Sequence, residues 1–430
     1  MARVGIVGMG YAGIATGIAL ARKGHRVVFA DIDSGKVDAV EAGRAPMYEA
    51  GLEAAIRSLR RRGVLRATEE TGQAVRGSDF VFLCVGTPSR EDGSLNTDHL
   101  DDAAAAVGET LSNRKRTVIV VKSTVLPGTT EARVIPSLEK RSGLRAGQFG
   151  VCVNPEFLRE GRALEDSMQP THVVLGELDR RSGTALLRLL SPNCPTLRTS
   201  IRVAEAVKYA TNAFLATKVT FANELANLAA RLELDVDEVL RGMTLDPRID
   251  PAHLQPGPGF GGSCLPKDLR ALVSYSRQVG YEPSLWQAVL SVNDRQHLEV
   301  VRLLEEEVGD LNGRRIALLG LAFKAGTDDV RESKALAIAR ELLSRGASVA
   351  AYDPVAGDNF ARALPGTSVV RSVEDSLRGA QACVIQADWP VFHRLGPSQF
   401  ALMAKAVVID ARRTWPRTRL PKGIRYRRIG

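Results

Sequence analysis

Long apolar runs are missing from this 430-residue chain. No stretch approaches the ~18 consecutive apolar residues of a membrane-spanning helix, so no membrane partner is expected. Cysteine is sparse: Cys84, Cys152, Cys194, Cys264 and Cys383 form an odd, scattered set. Such a set gives neither a disulfide framework nor a zinc cluster, predicts no metal, and fits a reduced, cytoplasmic setting. The first residues, Met1 to Gly8, lack signal-peptide organisation and read as a strand running into glycine. Acids are absent from the last stretch: between Arg412 and Gly430 stand eight basic residues and no Asp or Glu. The plainest reading is a solvated basic tail; a field that draws in a phosphorylated small molecule is the other. No nucleic-acid-binding module accompanies it, so no nucleic acid is expected as a partner. The net charge of +9 is modest for this length, and the length itself suggests two or three domains.

What is present begins with the apolar run of residues 3–8, followed by Gly8-Met9-Gly10-Tyr11-Ala12-Gly13 and a helical pattern through Ile14, Ile18, Leu20 and Ala21. Lys23-Gly24-His25 ends that helix, and Arg26-Val27-Val28-Phe29-Ala30 is the next strand, with Asp31 at its end. This is the dinucleotide fingerprint in its strand–turn–helix–strand setting: one glycine makes the turn, one admits the pyrophosphate, one lets helix pack on strand. Pyrophosphate would sit at the helix N-terminus. Asp31 suits the ribose hydroxyls and repels a 2′-phosphate, which favours NAD over NADP.

Two further strands, Asp79–Val85 and Thr117–Val121, run into Gly86-Thr87-Pro88 and Lys122-Ser123-Thr124. Their threonines read either as turn residues or as contacts to the nicotinamide half, because open α/β sheets place ligands at strand C-termini. Cys84 and Cys152 read as core. Next comes Asn154-Pro155-Glu156-Phe157-Leu158-Arg159-Glu160-Gly161, where Glu156 and Glu160 share a face if the segment is helical. The pair is either a solvated surface or a means of activating water.

A helix is predicted from about Val203 to about Leu232, with Lys208 and Asn212 four apart on one face. A surface lysine beside a polar neighbour is one reading; an ammonium and an amide converging on a developing alkoxide is the other. A Pro- and Gly-rich loop, 245–258, then delivers Gly259-Phe260-Gly261-Gly262-Ser263-Cys264-Leu265-Pro266-Lys267-Asp268. Pro266 suits the first turn of a helix, so Cys264 stands at a helix entrance, where the dipole favours a thiolate. A second helical stretch, roughly 284–308, precedes a boundary at Gly309–Gly313. After it the opening pattern returns as Arg315–Gly320, a helix over Ala335–Ser344, and Ala347–Asp353. Gly320 to Asp353 spans 33 residues against 23 for Gly8 to Asp31, and the surplus holds Phe323 to Ser333. This is a second Rossmann-like unit without the glycine fingerprint. Its later strands are Ala382–Gln386, with an inert Cys383, and Ala406–Asp410.

With these motifs assembled, the chain resembles the nucleotide-sugar 6-dehydrogenases, the UDP-glucose and GDP-mannose dehydrogenases. The resemblance runs in order through Gly8–Gly13, Gly86–Pro88, Ser123-Thr124 with Pro127-Gly128-Thr129, Asn154–Gly161, Lys208 with Asn212, Gly261–Asp268, and Gly320–Lys324 with Thr327–Ser333. It implies an α/β protein of two Rossmann-like domains with parallel sheets joined by a long-helix region. The expected boundaries are an NAD-binding domain over 1–200, a central helical dimerisation region over 201–308, and a sugar-nucleotide-binding domain over 309–430. It implies a homodimer or higher homo-oligomer and a four-electron oxidation of a C6 alcohol to a carboxylate by two NAD. Cys264 would be the nucleophile, and Lys208 with Asn212 would stabilise the oxyanion. Asp268, Thr124, Glu156 and Glu160 would organise water and protons. Gly8, Gly10, Tyr11, Gly13, Asp31, Lys36, Thr87, Thr124, Glu160 and Arg331 would hold the cofactor. The sugar nucleotide would meet Glu156, Phe157, Leu158, Arg159, Lys208, Asn212, Arg248, His253, Leu254, Gln255, Gly257, Gly261 and Lys324.

Arg248-Ile249 and Gly257-Pro258-Gly259 are similar to the UDP-glucose branch. Gly176–Asp179, Lys218–Glu224 and Ser263–Lys267 are similar to the GDP-mannose branch, although Gln255 replaces an arginine usual there. Ser333-Lys334 stands in place of a common Ser-Pro, and Ala411-Arg412-Arg413 in place of Gly-Arg-Asn. UDP-glucose is the expected substrate, with GDP-mannose or another UDP-sugar as the alternative, ahead of a two-electron dehydrogenase or a non-catalytic nucleotide-binding protein.

Overall fold

Short runs of Val, Ile, Phe and Leu that are buried on both faces build the middle of each sheet, as parallel strands sheathed by helices require. The computed structural model describes residues 1–430, the side chain of Arg417 excepted, and the chain divides into two compact units, Met1–Thr211 and Asn212–Gly430.

The first unit contains β1 (Arg3–Val7), β2 (Arg26–Ala30), β3 (Leu65–Thr68), β4 (Phe80–Leu83), β5 (Val118–Val121), β6 (Gly150–Val153), β7 (Val173–Glu177) and β8 (Thr196–Thr199). They lie in the order β3-β2-β1-β4-β5-β6-β7-β8. Every neighbouring pair is parallel except β6 with β7. The first six strands thus follow the Rossmann order, with its reversal between β1 and β4. The helix Tyr11–Arg22 buries Gly13, Ala15, Gly17 and Ala19. A Cβ on Gly17 would overlap the Phe29 ring, so small residues let this helix lie close to β2.

The second unit repeats the order with β9 (Arg315–Leu319), β10 (Ser348–Tyr352), β11 (Ser368–Val369), β12 (Ala382–Ile385), β13 (Val407–Asp410) and β14 (Arg425–Arg428), arranged β11-β10-β9-β12-β13-β14 and parallel throughout. Leu304, Ile338 and Leu342 pack on one face; Trp389, Phe392 and Trp415 pack on the other. The long helix runs Ile201–Arg231, within two residues of its expected limits.

Two expectations change. The stretch 284–308 is two helices, Ser284–Arg295 and His297–Val308. Gln296 between them keeps helical angles, φ −59° and ψ −31°. Its side chain is drawn inward, where Nε2 donates to the carbonyl of Gly257 at 3.1 Å and to Asn227 Oδ1 at 3.3 Å. The basic stretch after Arg412 is no tail either. It ends in β14, paired with β13, and its arginines meet acids from much earlier in the chain: Arg413 with Asp237 at 2.9 Å, Arg428 with Asp237 at 2.6 Å, Arg427 with Glu307 at 2.7 Å. No helix among the described residues is long and apolar enough to cross a membrane.

Candidate active site

In the first unit, β1 delivers the glycine turn. Gly8 takes φ +98°, and a Cβ there would come within 2.8 Å of the Cys84 backbone. A Cβ on Gly13 would overlap the Gly8 carbonyl oxygen, so close helix–strand packing demands glycine. A Cβ on Gly10 would meet nothing within 4 Å. Gly10 caps the helix Tyr11–Arg22 without a side-chain bond, and its first turn holds no acid. The start of a helix at a strand C-terminus, with open space at Gly10, fits an anionic diphosphate. Beside them Asp31 accepts from Met9 N at 2.5 Å and Asp33 N at 3.0 Å, with Lys36 Nζ at 3.8 Å. The Tyr11 hydroxyl donates to the carbonyl of Tyr48 at 3.3 Å. Thr87 Oγ1 donates to the carbonyl of Thr124 at 2.8 Å, which ties the loops after β4 and β5. This donor set fits a dinucleotide with free ribose hydroxyls.

After β6 the chain from Asn154 to Arg159 is irregular, and Glu160 lies in a turn. Glu156 and Glu160 therefore share no helical face: Pro155 has no N–H to give, and Glu156 folds back to accept from Leu158 N at 2.7 Å. Glu156 Oε1 lies 2.9 Å from Lys208 Nζ, and the two side chains are 11% and 6% exposed. Lys208 also stands over the Phe157 ring, 5.4 Å from its centroid. Arg159 pairs instead with Asp166 at 2.6 Å. Burial pushes the Glu156 carboxyl up, but the Lys208 charge, the Leu158 N–H and the Lys122 charge outweigh it and hold it below the ordinary carboxylate range. Lys122 is buried and donates to Asn154 Oδ1 at 3.0 Å. Burial pushes this ammonium down, the nearby Lys208 charge adds to the effect, and Cys84 and Glu156 oppose it. The Cys84 thiol is pushed up to about 12 by burial, which suits a core residue.

In the second unit, Cys264 is the N-cap of the helix Leu265–Gln278, with Pro266 in the first turn. The residue is half-buried, and Ser263 Oγ is 3.5 Å from its sulfur. Asp268, one turn in, is 1% exposed. It accepts from Asn212 Nδ2 at 2.6 Å and pairs with Lys267 Nζ at 2.5 Å, while its N–H donates to the carbonyl of Cys264 at 2.9 Å. Asn212 keeps a second amide N–H beyond the one given to Asp268.

The loop before the thiol is held by amide side chains. Gly257 N donates to Asn223 Oδ1 at 2.7 Å. Asn293 Oδ1 accepts from Phe260 N at 2.7 Å, and its Nδ2 donates to the carbonyl of Phe260 at 3.1 Å. Gly261 has no room for a Cβ, which would overlap the Glu332 carbonyl. Leu254 is buried, Gln255 is exposed, and His253 takes φ +65°. Arg248 is 86% exposed and pairs with Asp246. Lys324 lies over the Phe323 ring at 5.6 Å, and Arg331 grips Asp329 at 2.6 Å. Among the described residues, no cluster of His, Cys, Asp and Glu could hold a metal ion.

Several groups around these sites escape sequence reasoning. The Lys122–Asn154 pair is signalled only by a lysine ending an apolar strand. Asn293 is signalled by an amide interrupting a helical pattern. Arg412 donates to the carbonyl of Gln386 at 2.7 Å and is lowered by burial to about 10; it is signalled by its place at the end of β13.

The models of the UDP-glucose/GDP-mannose dehydrogenase family match the chain in order: the NAD binding domain over residues 2–192, the central domain over 202–295, and the UDP binding domain over 317–417. The UDP-glucose 6-dehydrogenase AglM of Haloferax volcanii is 42% identical over 417 residues, 95% of this chain and 96% of that protein. The GDP-mannose 6-dehydrogenase of Pseudomonas putida is 41% identical over 356 residues, 82% of this chain and 80% of that protein. The structure of a UDP-glucose dehydrogenase from the archaeon Pyrobaculum islandicum matches with a TM-score of 0.90 at 41% identity, covering 96% of this chain and 94% of that one.

Proposed function

The chain belongs to the UDP-glucose/GDP-mannose dehydrogenase family, and from that premise we propose that it oxidises UDP-glucose to UDP-glucuronate. NAD, bound at Gly8–Gly13 and Asp31, would accept one hydride in each of two rounds. In the first round the C6 hydroxyl gives up its proton, to a water held by Thr124, Glu156 and Glu160, as its carbon gives up hydride. The Cys264 thiolate adds to the aldehyde and forms a C–S bond. Lys208 and Asn212 stabilise the resulting oxyanion. Loss of a second hydride leaves a thioester, and a water activated near Asp268 cleaves the C–S bond, which releases carboxylate and returns the thiolate. The reason for a thiol is chemical: it holds the half-oxidised carbon covalently between the two hydride losses.

The observation that carries this reading is Cys264 at the N-cap of a helix whose next turn presents a buried Asp268 bonded to Asn212. Counting NADH formed per sugar tests it, across a panel of UDP- and GDP-sugars. Two NADH per UDP-glucose, with GDP-mannose much slower, is the expected result; one NADH per sugar sinks the mechanism. GDP-mannose is the second reading, supported by relatives such as that of Pseudomonas putida, whose match covers less of the chain.

We also propose a homodimer built on the long helix. Phe214, Phe221 and Leu228 are 64%, 52% and 52% exposed and recur every seventh residue, the spacing of a stripe that packs on another helix. Phe221→Asp should convert the assembly to monomers in light scattering; an unchanged mass removes this face from the interface. A cytoplasmic setting is part of the same proposal.

A further inference from the structure

The loop that ends in Cys264 is clamped from two sides. On one side Asn293, in the last turn of the helix Ser284–Arg295, holds Phe260 by both its N–H and its carbonyl. On the other, Gly262 N donates to the carbonyl of Arg331 at 3.1 Å, and Gly261 and Gly262 lie against Glu332 and the Phe323 ring so closely that neither has room for a Cβ. One side chain joins the two walls. Lys334, two residues past Glu332, donates from Nζ to the carbonyl of Asn293 at 2.8 Å. Its stem passes directly under the loop, where a Cβ on Gly259 would come within 2.8 Å of Lys334 Cε.

This lysine stands where several forces disfavour it. It is 7% exposed, it occupies the first residue of the helix Lys334–Ser344, at the positive end of the dipole, and Arg270 and Arg412 add like charge. Burial pushes its pKa down, and Asp294 and Glu332 oppose the shift. His297, on the adjoining helix, is lowered by burial and then by the Lys334 charge. The compensation is at the other end of the reach. The carbonyl of Asn293 is one of the last four of its helix, which lack helical partners, and a cation there is favoured.

We infer that Lys334 is a positioning residue for Cys264: by tying the segment Arg331–Lys334 to the end of the helix Ser284–Arg295, it fixes the loop that seats the thiol at its helix N-terminus. The inference rests on Cys264 being the nucleophile for its catalytic consequence, but not for its structural one. Proline, the common residue at this place in the resemblance, supplies no amine, so the tie is a property of this chain.

The test uses the full chain with K334P and K334M. Proline is tolerated at the first helical position, so K334P keeps the fold if methionine does not. Iodoacetamide alkylation of Cys264 is followed by peptide mass spectrometry, which separates it from the other four free cysteines, over about pH 6 to 9, a range that brackets the free-thiol pKa. Expected is a roughly fivefold slower alkylation near pH 7, with the midpoint of its pH profile moved upward as the thiol leaves the helix end. UDP-glucose turnover should fall about tenfold in kcat with KM nearly unchanged. Variants with an unchanged melting temperature that alkylate with the parent's rate and pH profile overturn the inference. Slowed alkylation with undiminished turnover supports the tie and overturns instead the role of Cys264 in the proposed reaction.

Discussion

At the scale of single residues, the first unit hides a carboxylate between two ammonium groups. Lys208 is 2.9 Å from Glu156, and both Lys208 and Lys122 lower its pKa against the upward push of burial. Two cations around one buried anion leave an excess charge, so removing the anion is worse than removing either cation. Glu156→Gln takes the carboxylate away from Lys208, and breaking a buried pair by one partner costs about 3 kcal/mol. A carboxyl whose folded pKa is depressed contributes stability above its unfolded value, near 4.5, and loses it as pH falls through the lower folded value. The destabilisation by Glu156→Gln, read from urea midpoints, should therefore be full at pH 7 and shrink below about pH 4.5. A pH-independent difference would mean that the pair contributes by shape rather than charge.

At the scale of elements, the glycine turn separates fold from binding. Gly13→Ala drives a methyl into the Gly8 carbonyl and should lower the melting temperature by several degrees, by about 2 kcal/mol of overpacking. Gly10→Ala meets open space, so its melting temperature should stay level while NAD affinity, read by titration calorimetry, falls at least about tenfold as the methyl enters the diphosphate's place. Equal loss of stability in both variants would contradict this division. The turn was legible because strand, glycines, helix and acid come in sequence order. The central strands β1, β2, β4, β5, β9, β10, β12 and β13 were legible as apolar runs. The edge strands were not: β8 is Thr-Leu-Arg-Thr and β14 is Arg-Tyr-Arg-Arg, half-exposed stretches with no apolar run to read. Cys264 at a helix entrance could be read from Pro266. The Glu156–Lys208 and Asn293–Phe260 contacts could not, since each joins residues far apart in the chain.

At the scale of the whole chain, two sheets of one strand order have been put to different uses. Asp31 and Asp353 both follow the second strand of their sheets. Asp353 is saturated from within: Leu321 N, Val355 N, Ala356 N and Trp389 Nε1 all donate to it at 2.7 to 3.1 Å. It braces its own loops and has little capacity left for a ribose. The same unit absorbs the basic stretch that looked like a tail, because its acidic partners lie more than a hundred residues earlier in the chain. Deleting residues 412–430 would remove β14, uncover β13, extract the buried Ile429, and leave the Glu307 side chain, 1% exposed, without Arg425 and Arg427. A stranded buried charge alone costs about 3–5 kcal/mol. For a unit of this size that is about 10 °C of melting temperature, and the uncovered strand edge adds a tendency to aggregate. Differential scanning calorimetry should show the transition of the second unit lowered by at least that much, or the protein should be insoluble. Alanine at Arg419 and Lys422, which carry none of these pairs, should leave it in place. A truncated chain that melts like the parent would return the stretch to the status of a solvated tail.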